Sequence, residues 1–167
     1  MPASADPSLQ PPAEWPPQPT AKASWSVVHT LAYASLVLPS CGALALWLKV
    51  PEWQVFLVNA LLTHIALALT FLGGIHWGIA MRYMATDAHM PVFHFVWGPV
   101  PGYVAWFLLM ASAPIALAGM MALTLAIYWV DRQTWPGSGL GPWLPLRSTY
   151  TLITLIYSGV ALAAMSL

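Results

Sequence analysis

Residues 55–81, VFLVNALLTHIALALTFLGGIHWGIAM, form an apolar run of 27 residues without a charged side chain. A helix rises 1.5 Å per residue and needs roughly 20 apolar residues to cross about 30 Å of hydrocarbon. We therefore predict a transmembrane helix here. The whole 167-residue chain has the same character, because 59% of it is hydrophobic, 6% is charged and the mean hydropathy is +0.71. Its formal net charge of zero offers no basic field for nucleic acid.

Apolar runs on both sides of this one predict an all-α, polytopic membrane helix bundle of about five transmembrane helices. The predicted spans are 26–48, 55–81, 91–112, 114–130 and 149–167. In a four-span alternative, residues 103–130 form one helix kinked at Pro114 and residues 91–102 lie on the membrane surface. Residues 1–25 are rich in proline and are predicted to be a disordered tail.

The distribution of positive charge favours five spans, because Lys and Arg collect on the cytoplasmic side. With five spans, one side of the membrane has Lys22, Arg82, Arg132 and Arg147, and the other side has only Lys49. With four spans, two of these five cations lie on one side and three on the other. We therefore predict a cytoplasmic N-terminus in a bacterial inner (cytoplasmic) membrane. No charged residue then lies inside a predicted span, so ion-coupled transport would lack its usual groups.

Two of the predicted spans carry unusual residues. The third has prolines and glycines around Gly98–Gly102, so it must kink or break there. A plain proline kink is the preferred interpretation, and a broken helix that lines a substrate site, as in transporters, is the alternative. The second has a stripe of small and polar side chains, which predicts a helix-packing seam in preference to a ligand groove. The stripe consists of Asn59, Thr63, Ala66, Thr70, Gly73, Gly74 and Trp77.

Histidine is the residue type with the clearest potential as a ligand. His29, His76 and His94 fall at similar depths near the cytoplasmic side, where two could hold a haem iron or three a metal ion. Their spacing matches no motif, so no cofactor is expected, and haem or a transition metal is the alternative. His64 falls near the middle of the second span and is expected to bond Thr124 or Tyr157 of another helix, with contact to a quinone headgroup as the alternative.

Two segments resemble a known family. FLGGIHWGIAM at 71–81, and the pattern made by Pro142, Trp143, Leu146, Arg147 and Thr151, resemble the signature segments of a domain-of-unknown-function family of small multi-pass membrane proteins. That family includes the mitochondrial transmembrane protein sixty-nine. The resemblance covers about 26–167 and implies an inner-membrane protein of about five helices with no established activity.

These observations predict one cluster of residues at the cytoplasmic face. Nucleotide-binding, zinc-protease and serine-hydrolase motifs are absent from the sequence, so an enzyme is not expected. We expect an accessory, assembly or scaffold protein that works through the lipid bilayer and other membrane proteins. A haem- or metal-binding redox protein and a small transporter are the alternatives. The predicted cluster comprises Gly73, Gly74, His76, Trp77, Gly78, Arg82, Trp143 and Arg147.

Overall fold

The computed structural model describes residues 21–84 and 92–166 of the chain, with side chains from residue 24 onward. Over these residues every regular element is helical, which confirms the all-α prediction. The predicted tail lies largely outside the described residues, and the first helix already begins at Ala21. The helices are α1 Ala21–Ala45, continued by a 3-10 turn at Leu46–Leu48, α2 Pro51–Met84, α3 Val92–Trp97, α4 Val100–Leu108, α5 Ala113–Thr134, and α6 Leu144–Ser166 after a 3-10 turn at Gly141–Trp143.

Four of the helical stretches are long and apolar enough to cross a membrane, so the chain has the features of a membrane protein. They cover Ser24–Leu48, Pro51–Met84, Ala113–Thr134 and Gly141–Ser166. The remaining stretch, Val92–Leu108, is apolar but shorter, and it contains the predicted break.

The break lies at Gly98 and Pro99, between α3 and α4. After it the chain continues back along α2, so that Gly98 lies against Gly73 and Gly102 against Thr70. The chain turns again after α4, and Leu108 packs on Gly119 of α5. The single helix over 103–130 required by the four-span alternative is therefore wrong, because residues 109–112 form the turn of a helical hairpin.

The two ends of the bundle are fixed by contacts between α1 and α6. At one end Trp25 lies against Trp143, with ring centroids 4.6 Å apart. At the other end the Lys49 ammonium donates to the carbonyl of Ala164. The helices α1 and α6 are therefore parallel, and Trp143 lies at the same end as Arg82, which we call the Arg82 end.

The predicted seam on α2 is only partly formed. Its buried members are Ala66 and Gly73, and Thr70 and Trp77, although exposed, lie against Gly102 of α4 and Gly98 of the break. Because side chains three and four apart share a face of a helix, these four residues make one stripe against the hairpin. The other three residues of the stripe are exposed: Asn59, Thr63 and Gly74.

Candidate functional site

A cluster of buried polar side chains lies near the Arg82 end, between α2, α3, α5 and α6. His76 is at its centre and has 0% of its surface exposed. The Nδ1 atom of His76 is 2.8 Å from Nδ1 of His94, and its Nε2 atom is 3.1 Å from Oδ1 of Asp131. His76 thus links α3 to α5 through the two nitrogens of one ring. We call His76, His94, Asp131, Arg147 and Thr151 the polar cluster.

Asp131 joins the histidine pair to α6. Its second oxygen, Oδ2, accepts a hydrogen bond from Nε of Arg147 at 2.7 Å, and Asp131 is itself fully buried. The Arg147 Nη1 atom donates to the Thr151 hydroxyl at 2.6 Å, and that hydroxyl donates to the Arg147 carbonyl at 2.9 Å. The guanidinium carbon also lies 5.9 Å from the centre of the Tyr128 ring, within the range of a cation–π contact.

The distances restrict where the protons of the cluster can be. One Nδ1 atom of the histidine pair must carry a proton, because two nitrogen lone pairs do not approach to 2.8 Å without one. Nε2 of His76 donates to Asp131, since a carboxylate paired with Arg147 can only accept. The carboxylate therefore receives a hydrogen bond from His76 and another from Arg147.

Glycines let the backbone of α3 approach α2 closely enough to form the histidine pair. A Cβ atom on Gly73 would lie 2.2 Å from the carbonyl oxygen of Gly98, and a Cβ atom on Gly98 would lie 2.2 Å from Cδ1 of Trp77. The indole Nε1 of Trp77 donates to the carbonyl of Phe95 at 3.0 Å and thereby holds α3 in place. The sequence GGIHW thus supplies both the close contact and the central imidazole.

The predicted cluster of eight residues is divided by the structure. His76 and Arg147 come together through Asp131, and Gly73 and Trp77 support them from α2. The other members lie elsewhere: Trp143 packs on Trp25, Gly74 faces open space, and Gly78 and Arg82 line a groove.

The three histidines proposed as metal or haem ligands do not converge. His29 is exposed, and its ring contacts are with Trp25 and Tyr33 of its own helix. The Nδ1 atoms of His76 and His94 are 2.8 Å apart, whereas two nitrogens bound to one zinc ion at about 2.0–2.1 Å are roughly 3.3 Å apart. In the described part of the chain no group of three or more His, Cys, Asp or Glu is placed to hold a metal ion.

Sequence reasoning identified His76 and Arg147 but missed Asp131, because the predicted spans 114–130 and 149–167 leave Asp131 and Arg147 in a loop. In the structure α5 continues to Thr134 and α6 begins at Leu144, so both charges lie within helices. Arg147 is only 4% exposed. The charge count treated it as a cation of an exposed loop, and that assumption is wrong. The sequence did contain a signal for this ion pair, because Asp131 and Arg147 have opposite charges and each lies within one turn of a predicted span.

Further along the bundle lie other polar side chains, His64 on α2 and Tyr157 and Ser158 on α6, which we call the His64 set. The expected hydrogen bond from His64 to Thr124 or Tyr157 is wrong. The His64 and Tyr157 rings are neighbours, 6.4 Å apart, but Nε2 of His64 is buried without a hydrogen-bond partner among the described residues. Thr124 donates to the carbonyl of Met120 in its own helix. Ser158 is also buried, with its hydroxyl unbonded to any described residue.

Two of the grooves on the surface of the bundle lie beside α2. One of about 640 Å³ lies between the end of α2 and residues 137–140, with Arg82 in its wall. The other, of about 380 Å³, lies between α1 and α2 and reaches His64. Neither groove is lined by a residue of the polar cluster.

A family model described as "Protein of unknown function (DUF3429)" matches residues 23–163, which is most of the chain. No curated protein matches the chain. No solved structure matches it either.

Proposed function

The chain belongs to the DUF3429 family, whose description names no activity, and from that premise we propose a non-enzymatic accessory, assembly or scaffold role in the bacterial inner membrane. In this role the bundle is a rigid body whose outer helix faces contact other membrane proteins. The polar cluster keeps the helices in their relative positions.

The enclosure of the polar cluster is the observation that carries this proposal. A catalytic acid or base must come within hydrogen-bonding distance of a substrate. His76 and Asp131 have no exposed surface, and they use their hydrogen-bonding atoms on each other, on His94 and on Arg147. The strongest polar groups of the bundle therefore face one another, which suits a structural role.

The remaining cations support the proposed orientation of the bundle. Without Arg147, the positive charges on the predicted cytoplasmic side are Lys22, Arg82 and Arg132, against Lys49 on the other side.

The experiment that tests the proposal is site-specific photocrosslinking in native membranes. The chain offers matched pairs of leucines, one facing outward and one inward. On α2, Leu67 is 66% exposed and Leu69 is 1% exposed; on α1, Leu38 is 80% exposed and Leu36 is 3% exposed. A photoreactive residue at Leu67 or Leu38 should give a discrete protein adduct, whereas the inward positions should crosslink only within the chain.

The same assay on an Asp131→Asn variant examines the structural role of the cluster. We expect the outward adduct to weaken, because the amide cannot accept two charge-assisted hydrogen bonds as the carboxylate does. Identical patterns from outward and inward positions, or adducts to lipid alone at every outward position, would contradict the scaffold role.

A further inference from the structure

The groove at the Arg82 end has an apolar half and a cationic half. Its apolar wall is made by Ile75, Gly78 and Ile79, which follow α2 toward the centre of the bundle. Arg82, in the last turn of the helix, lies seven residues beyond Ile75, or about 10 Å along the axis. The volume of about 640 Å³ is within the usual range for a small-molecule site.

Arg82 is the charged group of this groove. Its side chain is exposed, the nine described residues that line the groove include no acidic side chain, and no described carboxylate pairs with it. Gly139 has a φ of +77°, and a Cβ atom there would lie 3.7 Å from Nη1 of Arg82. The guanidinium therefore lies close to the loop backbone, at a position where a side chain would be strained.

The loop itself has little free hydrogen-bonding capacity. The amides of Ser138, Gly139 and Leu140 donate to carbonyls of residues 135 and 136. The Ser138 hydroxyl donates to the carbonyl of Thr134 at 3.0 Å, and the Tyr83 hydroxyl donates to the carbonyl of Gly137 at 3.4 Å. Recognition of a ligand's polar end therefore rests on the guanidinium, which binds phosphate oxygens in a bidentate manner.

We propose that this groove binds one anionic phospholipid, with its phosphate on Arg82 and an acyl chain along Ile75, Gly78 and Ile79. An amphipathic ligand matches the two halves of the groove, and a net negative charge complements Arg82, the one charged side chain among the described residues that line it. The end of a long apolar helix is also where phospholipid headgroups lie. The site is independent of the polar cluster and of any protein partner.

Gly78 permits a clean test, because a Cβ atom there would meet no atom within 4 Å. Gly78→Leu should fill the groove without disturbing the fold. Gly74→Leu is the matched control, since Gly74 is equally open, lies one turn earlier on α2 and does not line the groove. Arg82→Gln removes the cation, and Arg132→Gln is its control, because Arg132 is an exposed arginine outside the groove.

The measurement is native mass spectrometry of the full chain in mild detergent with added phosphatidylglycerol, phosphatidylcholine or glycerol phosphate. We expect the wild type and both controls to retain one phosphatidylglycerol. Arg82→Gln should weaken the affinity for phosphatidylglycerol by about tenfold, as expected for loss of one charge-assisted hydrogen bond. Gly78→Leu should abolish retention, because its side chain occupies the place of the acyl chain. The melting temperatures of all four variants should stay close to that of the wild type.

Three results would overturn the proposal. Equal lipid retention by Gly78→Leu and the wild type would place the lipid elsewhere. Equal retention of phosphatidylcholine would remove the role of net negative charge, and displacement of the lipid by glycerol phosphate would identify a free-phosphate site. If Gly78→Leu does not fold, the exposed Arg82→Gln substitution still decides the question.

Discussion

Two sets of polar side chains lie inside the same bundle, and they differ in how their hydrogen bonds are made. In the polar cluster, Asp131 receives hydrogen bonds from two other helices and Arg147 bonds two side chains, while the Nη2 atom of Arg147 is buried without a partner among the described residues. In the set around His64, buried atoms of His64 and Ser158 have no partner among the described residues. The polar cluster includes the negatively charged Asp131 and the positively charged Arg147, whereas the His64 set contains no Asp, Glu, Lys or Arg.

The comparison shows that, in an apolar interior, a buried charge restricts the relative positions of helices more than a neutral polar group does. A buried charge without a partner costs several kcal/mol, so the polar cluster allows only helix positions in which Asp131 is bonded. A neutral hydroxyl or imidazole costs less when unbonded. The cluster therefore fixes α2, α3, α5 and α6 relative to one another, and the His64 set does not.

Arg147→Met is expected to have the largest effect on stability. The substitution keeps an apolar stem but leaves Asp131 with His76 as its one remaining partner. Breaking a buried ion pair costs about 3–5 kcal/mol. The free energy of unfolding, measured by SDS titration in mixed micelles, should fall by that amount. Arg132→Met, which removes an exposed arginine, should change it by about 0.5 kcal/mol or less. Similar losses from the two variants would show that Arg147 has no special role.

The double variant Asp131→Leu/Arg147→Met separates the cost of an unpaired charge from the value of the pair. Replacing both ions with apolar side chains is often close to neutral, because no buried charge remains. Since His76 and Thr151 also lose a partner, we expect about half of the Arg147→Met loss to be recovered in the same titration. A double variant less stable than either single variant would mean that the pair itself supplies the stability.

Gly73→Ala probes the packing that brings the histidines together. The new Cβ atom would lie 2.2 Å from the Gly98 carbonyl oxygen, so α3 must move away from α2. Overpacking of this kind costs about 1–3 kcal/mol. Gly74→Ala is the matched control, and it should be neutral or stabilising by about 0.5–1 kcal/mol, because it adds helix propensity in open space. Equal effects at the two glycines would contradict the close approach.

Much of the fold is predictable from local patterns in the sequence. Long apolar runs predicted the helices, and the prolines and glycines near Gly98 predicted the break, because proline removes a backbone donor whatever surrounds it. The boundaries at Thr134 and Leu144 were not predictable in the same way. Polar residues end an apolar run in the sequence. In the bundle, however, Asp131 and Arg147 lie within helices, because each is the other's hydrogen-bonding partner.

The site was predictable only in its local parts. Gly73, His76 and Trp77 were identified because they are neighbours on one helix. Asp131 is 55 residues from His76 along the chain, and only the packing of α5 on α2 brings it within hydrogen-bonding distance. The expected approach of His29 to His76 and His94 is absent for the same reason. Equal depth in a membrane does not specify which faces of two helices meet.

Ser158→Ala should have the smallest effect of the four changes and is the sharpest test of the His64 set. The Ser158 hydroxyl is buried and unbonded to any described residue, so its removal should be neutral or stabilise the protein by up to about 1 kcal/mol. Ser148→Ala on the same helix is the control. The Ser148 hydroxyl accepts from Tyr128 at 2.7 Å and donates to the carbonyl of Leu144 at 2.8 Å, and its loss should cost about 0.6 kcal/mol in a membrane bundle. If Ser158→Ala were the more damaging change in SDS titration, the Ser158 hydroxyl would have a partner, and the contrast between the two polar sets would be wrong at that residue.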